Sequence, residues 1–352
     1  VTVAVVGAGV TGRLLALECA RRGWRTRLFD AGRPEGTGSC SFSAAGQLAP
    51  FAERVDCDPL ITRLGIESLA RWPDILGGLG ERVFFQREGT LIVACAADRP
   101  ERDRLERRVS ATGGAYQRIT GGALRVLEPQ LDPRFDDALY FPQEGQLDAR
   151  ACLRALGETL QRRGVRCDWG TPVEPRGPGE LATGSERLRF DWIADCRGLG
   201  AREWKGLRGV RGEMAIVHAP EVELRRPVRL VHARHPLYVA PRPDGRYLLG
   251  ATCLESQDQG PVRVRSALEL LSTAFTLHSG FGEAAIEQWV TGLRPALADH
   301  RPRVRHCSGI VRINGMYRHG FLVGPRVAEL VADFLESPGE SPLGEIGEEA
   351  AA

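Results

Sequence analysis

Residues 1–30 read VTVAVVGAGVTGRLLALECARRGWRTRLFD, and this stretch decides the fold. Residues 1–6 are apolar and rich in β-branched side chains, the pattern of a strand buried on both faces. Gly7-Ala8-Gly9-Val10-Thr11-Gly12 follows, in the spacing G-x-G-x-x-G. Leu14, Leu15, Leu17, Cys19 and Ala20 fit an apolar helical stripe, and Gly23 is placed to end that helix. Residues 26–29 predict a second strand, with Asp30 at its end. Each residue type has a physical task in a dinucleotide site. Gly7 permits the tight turn out of the strand, Gly9 lets a pyrophosphate approach the backbone, and Gly12 lets helix and strand pack closely. The N–H groups at the helix start, around Val10 and Thr11, offer the pyrophosphate partial positive charge. Asp30, 18 residues beyond Gly12, can accept hydrogen bonds from adenosine ribose hydroxyls. The motif by itself serves FAD and NAD alike.

The 352 residues suffice for one large or two modest domains. With 47 basic and 45 acidic residues the formal charge is only +2, so nothing demands nucleic acid or an acidic membrane as partner. Lys205 is the only lysine, which leaves lysine Schiff-base chemistry a single candidate in an unremarkable setting, Trp204-Lys205-Gly206. Nine scattered cysteines without a C-x-x-C fit free thiols in a reducing compartment better than disulfides or a zinc site. A first strand beginning at residue 1 leads us to expect no signal peptide, and the apolar run 91–97 is of strand length, far short of a membrane span. The expectation is a soluble, cytoplasmic protein.

Further along, helices are predicted over 58–79, 99–112, 148–163, 264–277 and 325–335. Residues 83–85 and 89–94 predict a hairpin. Strands are predicted over 165–173, 190–196, 212–217, 228–231, 237–242, 247–252, 287–292 and 309–313, with Asp244-Gly245 as a hairpin turn. The run Ser43-Ala44-Ala45-Gly46-Gln47-Leu48 suits either a backbone that approaches something flat or a helix start packed on its neighbour. Residues 1–82, 146–212 and 300–338 are expected to form a discontinuous dinucleotide-binding domain. Residues 83–145 and 213–299 are expected to lay an antiparallel substrate sheet over the cofactor, and 339–352 to be a frayed tail. The fold class is mixed α/β.

In order and spacing, these segments resemble the D-amino acid oxidase and glycine oxidase superfamily, nearest its bacterial thiamine-pathway glycine oxidase (ThiO) group. The resemblance runs from residue 1 to about 337. It is carried by Gly7 to Gly12, Ser43 to Pro50, Asp195-Cys196-Arg197-Gly198-Leu199, Val210-Arg211-Gly212-Glu213-Met214, Pro227-Val228-Arg229-Leu230, Gly250-Ala251-Thr252 with Glu255-Ser256, Arg294-Pro295, and Asn314-Gly315-Met316-Tyr317-Arg318-His319-Gly320-Phe321. It implies a Rossmann-like FAD-binding domain of the glutathione-reductase-2 / D-amino acid oxidase type, interleaved with the substrate sheet. FAD would be non-covalent, since no cysteine lies in the sequence near Arg294. Ser43, Ala44, Ala45, Gly46, Gln47 and Leu48 would line its isoalloxazine ring. Val173, Cys196 and Gly198 would contact it, and Arg318, His319, Gly320, Phe321 and Leu322 would close over its pyrimidine end. Arg294 would grip a substrate carboxylate, with Tyr238 and Arg318 beside it. The group usually has Met where this chain has Gln47, and its Bacillus-type members have His where this chain has Met316.

The activity implied is oxidative deamination of glycine or another small amino acid or amine. A hydride passes from Cα to FAD, the imine hydrolyses to an oxo acid and ammonia, and O2 is reduced to hydrogen peroxide. For glycine, the imine is the product that feeds the thiazole of thiamine. Two alternatives stand beside it: a flavoprotein that oxidises a side chain of a partner protein to build a quinone cofactor, and a dehydrogenase passing electrons to a quinone. A homo-oligomer is compatible with each.

Overall fold

The computed structural model describes residues 1–184, 186–232, 236–339 and 343. Its first sheet has six strands in the spatial order Arg303–Cys307, Ile310–Asn314, Trp192–Asp195, Thr2–Val6, Arg25–Phe29, Arg166–Asp168. All pairs are parallel except the antiparallel edge between 303–307 and 310–314. The opening strand is buried on both faces, as its composition requires. Val3 and Val5 face the glycine helix (Val10–Arg21) and its neighbours Ala149–Arg162 and Gly320–Glu336. Ala4 and Val6 face the other way, onto Phe29, Val173, Leu181, Ile193 and Ile310. A three-stranded antiparallel sheet, Glu174–Gly177, Glu180–Thr183 and Glu186–Arg189, covers that second face and was not among the expected elements.

The second large sheet has eight strands, in the order Ala285–Ala296, Arg208–His218, Arg246–Gly250, Leu237–Pro241, Val228–Val231, Thr90–Ala94, Asp137–Phe141, Gln117–Thr120. Only the pair 228–231 with 90–94 is parallel. Period-two alternation divides its residues. Leu91, Val93, Ala215, Val217, Val228, Leu230, Val239 and Leu249 enter a core with the helix Val264–Leu277. Arg229, Tyr238 and Met214 stand on the opposite face. Between the large sheets lies a small one, Gln47–Leu48, Gly145–Leu147 and Phe85–Gln86.

Helix starts follow local chemistry. Asp58 Oδ1 accepts the N–H of Leu60 and caps Pro59–Gly77; Asp148 Oδ1 accepts those of Arg150 and Ala151 and caps Ala149–Arg162. The turn at Asp244 and Gly245, both at positive φ, joins two paired strands as expected.

Two expectations fail. Residues 83–94 form no hairpin: Phe85–Gln86 pairs with Gly145–Leu147, and Thr90–Ala94 pairs with Asp137–Phe141 and Val228–Val231. Gly89, at φ +82°, carries the chain from one sheet to the other, and its N–H is taken by the Glu144 carbonyl. The last helix begins at Gly320, not at Pro325. Proline inside a helix leaves the carbonyl four residues earlier without a donor. Here that carbonyl is Phe321 O, and buried Trp72 Nε1–H reaches it at 3.1 Å. Of the expected tail 339–352, only 339 and 343 are among the described residues.

A Cβ added at Gly12 would collide with the Gly7 carbonyl oxygen, which a backbone shift alone can relieve. Gly12→Ala is expected to lose about 1–3 kcal/mol of stability by overpacking and to retain less dinucleotide on purification. Gly122→Ala, where the same atom meets open space, should be neutral. Equal melting temperatures and equal bound-cofactor absorbance for the two variants would contradict this account.

Candidate active site

The first strand delivers the chain to Gly7, at φ +97°, where a Cβ would sit 2.6 Å from Cys196 O. Gly9 is the N-cap of the glycine helix and carries no side chain to cap it. A Cβ at Gly9 would meet only Ser41 Oγ, at 3.2 Å, so the backbone there is open to a ligand. Ser41 Oγ also accepts the Val10 N–H at 3.0 Å. Asp30 ends the second strand and ties the turn down: Oδ2 accepts the Ala8 N–H at 2.5 Å and Oδ1 that of Gly32 at 2.7 Å. Arg13 is fully buried and donates to the carbonyls of Ala8, Leu153 and Pro34 at 2.7, 2.8 and 2.6 Å. It pins the turn to its surroundings, a role that an arginine inside an apolar stripe did not reveal.

From this turn a cavity of about 1370 Å³ runs along the face of the eight-stranded sheet. Gly7, Gly9, Val10, Thr11, Asp30, Ser43, Ala44, Ala45, Gly46, Gln47, Val173, Cys196, Gly198, Tyr238, Arg294 and Arg318 to Leu322 all line it. Two of the expected contacts do not. Gly12 lies beneath the turn, and Leu48 is fully buried in the core behind its strand. The small-residue run proves to be a wall. Gly46, at φ +67°, passes too close to the Leu147 carbonyl for any Cβ, and Ser43 Oγ donates to Thr291 O at 3.0 Å. Gln47 Nε2 is buried there without a hydrogen-bond partner among the described residues.

Arg294 lies within the strand Ala285–Ala296, not after it. Its guanidinium rests over Gly212, where a Cβ would collide with it, and Nη1 donates to Thr252 O at 3.1 Å and Arg211 O at 3.3 Å. Tyr238 uses Gly250 in the same way: a Cβ there would be 2.5 Å from its hydroxyl. Burial raises the tyrosine pKa, so the phenol stays protonated. Arg229 stands directly opposite Tyr238 on the neighbouring strand and lines the same cavity.

Glu53 completes the group. Its side chain is 13% exposed, with Oε2 3.2 Å from Arg318 Nε and 3.4 Å from His319 Nδ1, and Oε1 3.6 Å from Arg229 Nη1. Burial alone would push its carboxyl up. Arg318, Arg229, His319 and Arg294 outweigh burial and bring it down to about 2. Burial lowers His319 to about 4, against the pull of Glu53, so the ring is neutral near pH 7. Glu144 sets the position of Glu53, because its Oε1 accepts the N–H groups of Phe51 and Ala52 at 2.9 and 2.6 Å. Glu53 and Glu144 were not among the residues expected at the site, and Arg229 stood in a stretch that carries the resemblance without a role assigned to it. Arg229 had a signal, since alternation places it on the Tyr238 face; Glu53 and Glu144 had none.

A glycine turn at a helix start, an acid at the next strand end and a cationic pocket on a second sheet define a dinucleotide-dependent oxidoreductase. The family model for DAO, FAD dependent oxidoreductase, matches residues 2–334, and the chain belongs to that family. It is 40% identical over 329 residues to the putative thiamine biosynthesis oxidoreductase ThiO of Rhizobium etli, covering 93% of this chain and 94% of that one. It is 29% identical to the glycine oxidase of Geobacillus kaustophilus, covering 95% and 92%. The solved glycine oxidase from Bacillus cereus superposes with a TM-score of 0.85 at 25% identity, covering 100% and 99%. The residues present fit FAD. The open backbone at Gly9 suits a pyrophosphate, and the unpartnered Gln47 amide suits an acceptor on a flat ring. No described helix is long and apolar enough to cross a membrane.

Burial raises Glu144 from an ordinary 4.5 to about 7, against the pull of its two N–H donors. A carboxyl with a raised folded pKa stabilises the fold fully below its unfolded value and loses that contribution as pH rises through the folded one. Glu144→Gln keeps an oxygen for both donors and removes the titration. Its melting temperature, relative to the unmodified protein, should therefore rise between pH 5 and pH 8. Glu144→Leu orphans both donors and should cost about 1–3 kcal/mol. A difference between Glu144→Gln and the unmodified protein that stays constant with pH would contradict the assignment.

Proposed function

We propose that this enzyme oxidises glycine, or an amino acid of similar size, at Cα, with O2 as electron acceptor and hydrogen peroxide as product. We further propose that the imine it makes supplies thiazole formation in thiamine biosynthesis. The observation that carries the reading is the placement of Arg294 and Tyr238 over Gly212 and Gly250, on the cavity face of the sheet. The likeness to proteins named ThiO and glycine oxidase supports the choice of substrate. Bound FAD supplies the hydride acceptor and passes the electrons to O2.

The side chains supply binding, orientation and charge. Arg294 turns Nη1 toward two carbonyls, and its remaining donors fork onto the substrate carboxylate. That grip fixes which hydrogen on Cα faces the ring. The Tyr238 hydroxyl adds a further bond and keeps water from the carboxylate. The neighbouring guanidinium groups disfavour a substrate ammonium, so the amine loses its proton to solvent without a dedicated base. Glu53, brought down to about 2 against burial by Arg318, Arg229, His319 and Arg294, and His319, lowered to about 4 by burial, are both too weakly basic to hold a proton taken from the substrate near pH 7.

Tethering of FAD through a cysteine is not part of this reading. Sequence distance had left the Arg294 region free of cysteine. In space, Cys40 lines the cavity near Arg294, but burial pushes its thiol up to about 11, and a protonated thiol is a poor nucleophile. Acid precipitation should leave the yellow colour in the supernatant; a yellow pellet would overturn the non-covalent assignment. Arg294→Ala should keep its FAD and lose about 1.5–3 kcal/mol of transition-state binding, roughly ten- to hundredfold in kcat/KM for glycine. Peroxide release at an unchanged kcat/KM would remove Arg294 from the site.

A further inference from the structure

Two carbonyls aim Arg294, since its Nη1 donates to Thr252 O at 3.1 Å and to Arg211 O at 3.3 Å. Both carbonyls belong to residues whose side chains end on one carboxylate, that of Glu213. Its Oε1 accepts Arg211 Nε–H and Nη2–H at 2.9 and 2.7 Å, and its Oε2 accepts the Thr252 hydroxyl at 3.2 Å. Backbone bonds tighten the same knot. The Glu213 N–H donates to Thr252 Oγ1 at 2.9 Å, and the Thr252 N–H to Glu213 O at 3.0 Å. Arg211 and Leu254 exchange N–H to carbonyl bonds, each of 2.9 Å.

The Arg294 guanidinium and Gly212 share the cavity face, so alternation sends Arg211 and Glu213 to the far face, with Ala215 and the helix Val264–Leu277. That face is an apolar core, yet Arg211 is 2% exposed and Glu213 0%. A buried ion pair gains little stability over apolar side chains of similar volume, so its presence there points to a task beyond stability. Burial alone would raise the Glu213 carboxyl; hydrogen bonds from Ser266, Arg211 and Thr252 outweigh it and hold the group below its ordinary range, so it is ionised near pH 7. The pair also grips the chain beyond Thr252. Arg211 Nη1 donates to Asp258 O at 2.5 Å and Nη2 to Pro261 O at 2.8 Å, and Thr252, Cys253, Asp258 and Gln259 line the cavity. One carboxylate thus fixes a stretch of cavity wall and the arginine beside it.

We propose that Glu213 is a positioning residue: through Arg211 and Thr252 it fixes the two carbonyls that turn the Arg294 guanidinium toward the substrate carboxylate, acting from the far face of the sheet. The proposal rests on the amine-oxidase reading above, in which Arg294 takes that carboxylate, and adds the group that sets its angle. Positioning and plain electrostatics predict opposite signs. Removing a negative charge near Arg294 should tighten a bound anion by Coulomb attraction alone. Loosening the carbonyls that aim Arg294 should weaken it.

The probe is glycolate, which carries the carboxylate of glycine and a hydroxyl in place of its amine. Its affinity is read from the change it makes in the flavin absorbance of the FAD-loaded enzyme, without turnover. Glu213→Gln keeps the shape and removes the charge; it should weaken glycolate about tenfold and lower kcat/KM for glycine by a similar factor. In an Arg294→Ala background the same change should move glycolate affinity by less than about twofold, because a residue that works through Arg294 then has nothing to position. Thr252→Val removes one link to Glu213 and should reproduce part of the loss, and Thr252→Ser should restore it; this pair carries the test if Glu213→Gln does not fold. Glycolate bound as tightly, or more tightly, by the folded, FAD-loaded Glu213→Gln or Thr252→Val enzyme overturns the proposal. Losses that simply add in the double variant overturn it too, since they mark a role independent of Arg294. Glycolate affinity unchanged in Arg294→Ala defeats the reading of Arg294 itself. A loss in Arg294→Ala with none in Glu213→Gln defeats only the positioning role.

Discussion

The contact between Gly12 and the Gly7 carbonyl is the constraint on which the rest is built. No residue with a Cβ fits at Gly12 without moving the turn. That contact sets the glycine helix against the first strand and turns its free N–H groups toward the cavity. Asp30 and Arg13 then lock the turn from two sides through backbone atoms of Ala8. The six-stranded sheet, buried on both faces, holds this assembly rigid, so the dinucleotide meets a preformed site.

The same device recurs on the other wall. Gly212 and Gly250 are gaps in the side-chain layer of the eight-stranded sheet, and Arg294 and Tyr238 lie down in them. The pocket is thus shaped by absent side chains as much as by those present. Its electrostatics follow from placing three arginines around Glu53, which stays charged because they surround it. Burial keeps His319 from carrying charge against the pull of Glu53, and the arginines in excess of Glu53 leave the pocket attractive to anions.

What could be read from the sequence was what has a local cause. The cradle was legible because a tight turn, a close approach and a helix start each impose a residue type within a few positions. The parallel sheet and the helices that start near Asp58 and Asp148 were legible from apolar spacing, which is also local, and mixed α/β architecture followed. Arg294 and Tyr238 came from resemblance, and the structure brings both to one cavity. Glu53 was invisible: it sits in a loop, and its partners are 176, 265 and 266 residues away. The false hairpin at 83–94 arose because two adjacent strands join different sheets. The late start expected for the last helix arose because Trp72, far away in sequence, supplies the donor that Pro325 lacks. Cys40 makes the same point, since it comes near Arg294 only in three dimensions.

The central claim is that this cavity brings FAD and the Cα of a small amino acid together. Anaerobic mixing of the purified yellow enzyme with glycine tests it most directly. The account predicts that the flavin absorbance bleaches in a single turnover and returns, with hydrogen peroxide, when air is admitted. A flavin that stays oxidised with glycine, and equally with sarcosine, D-alanine and D-proline, would contradict it.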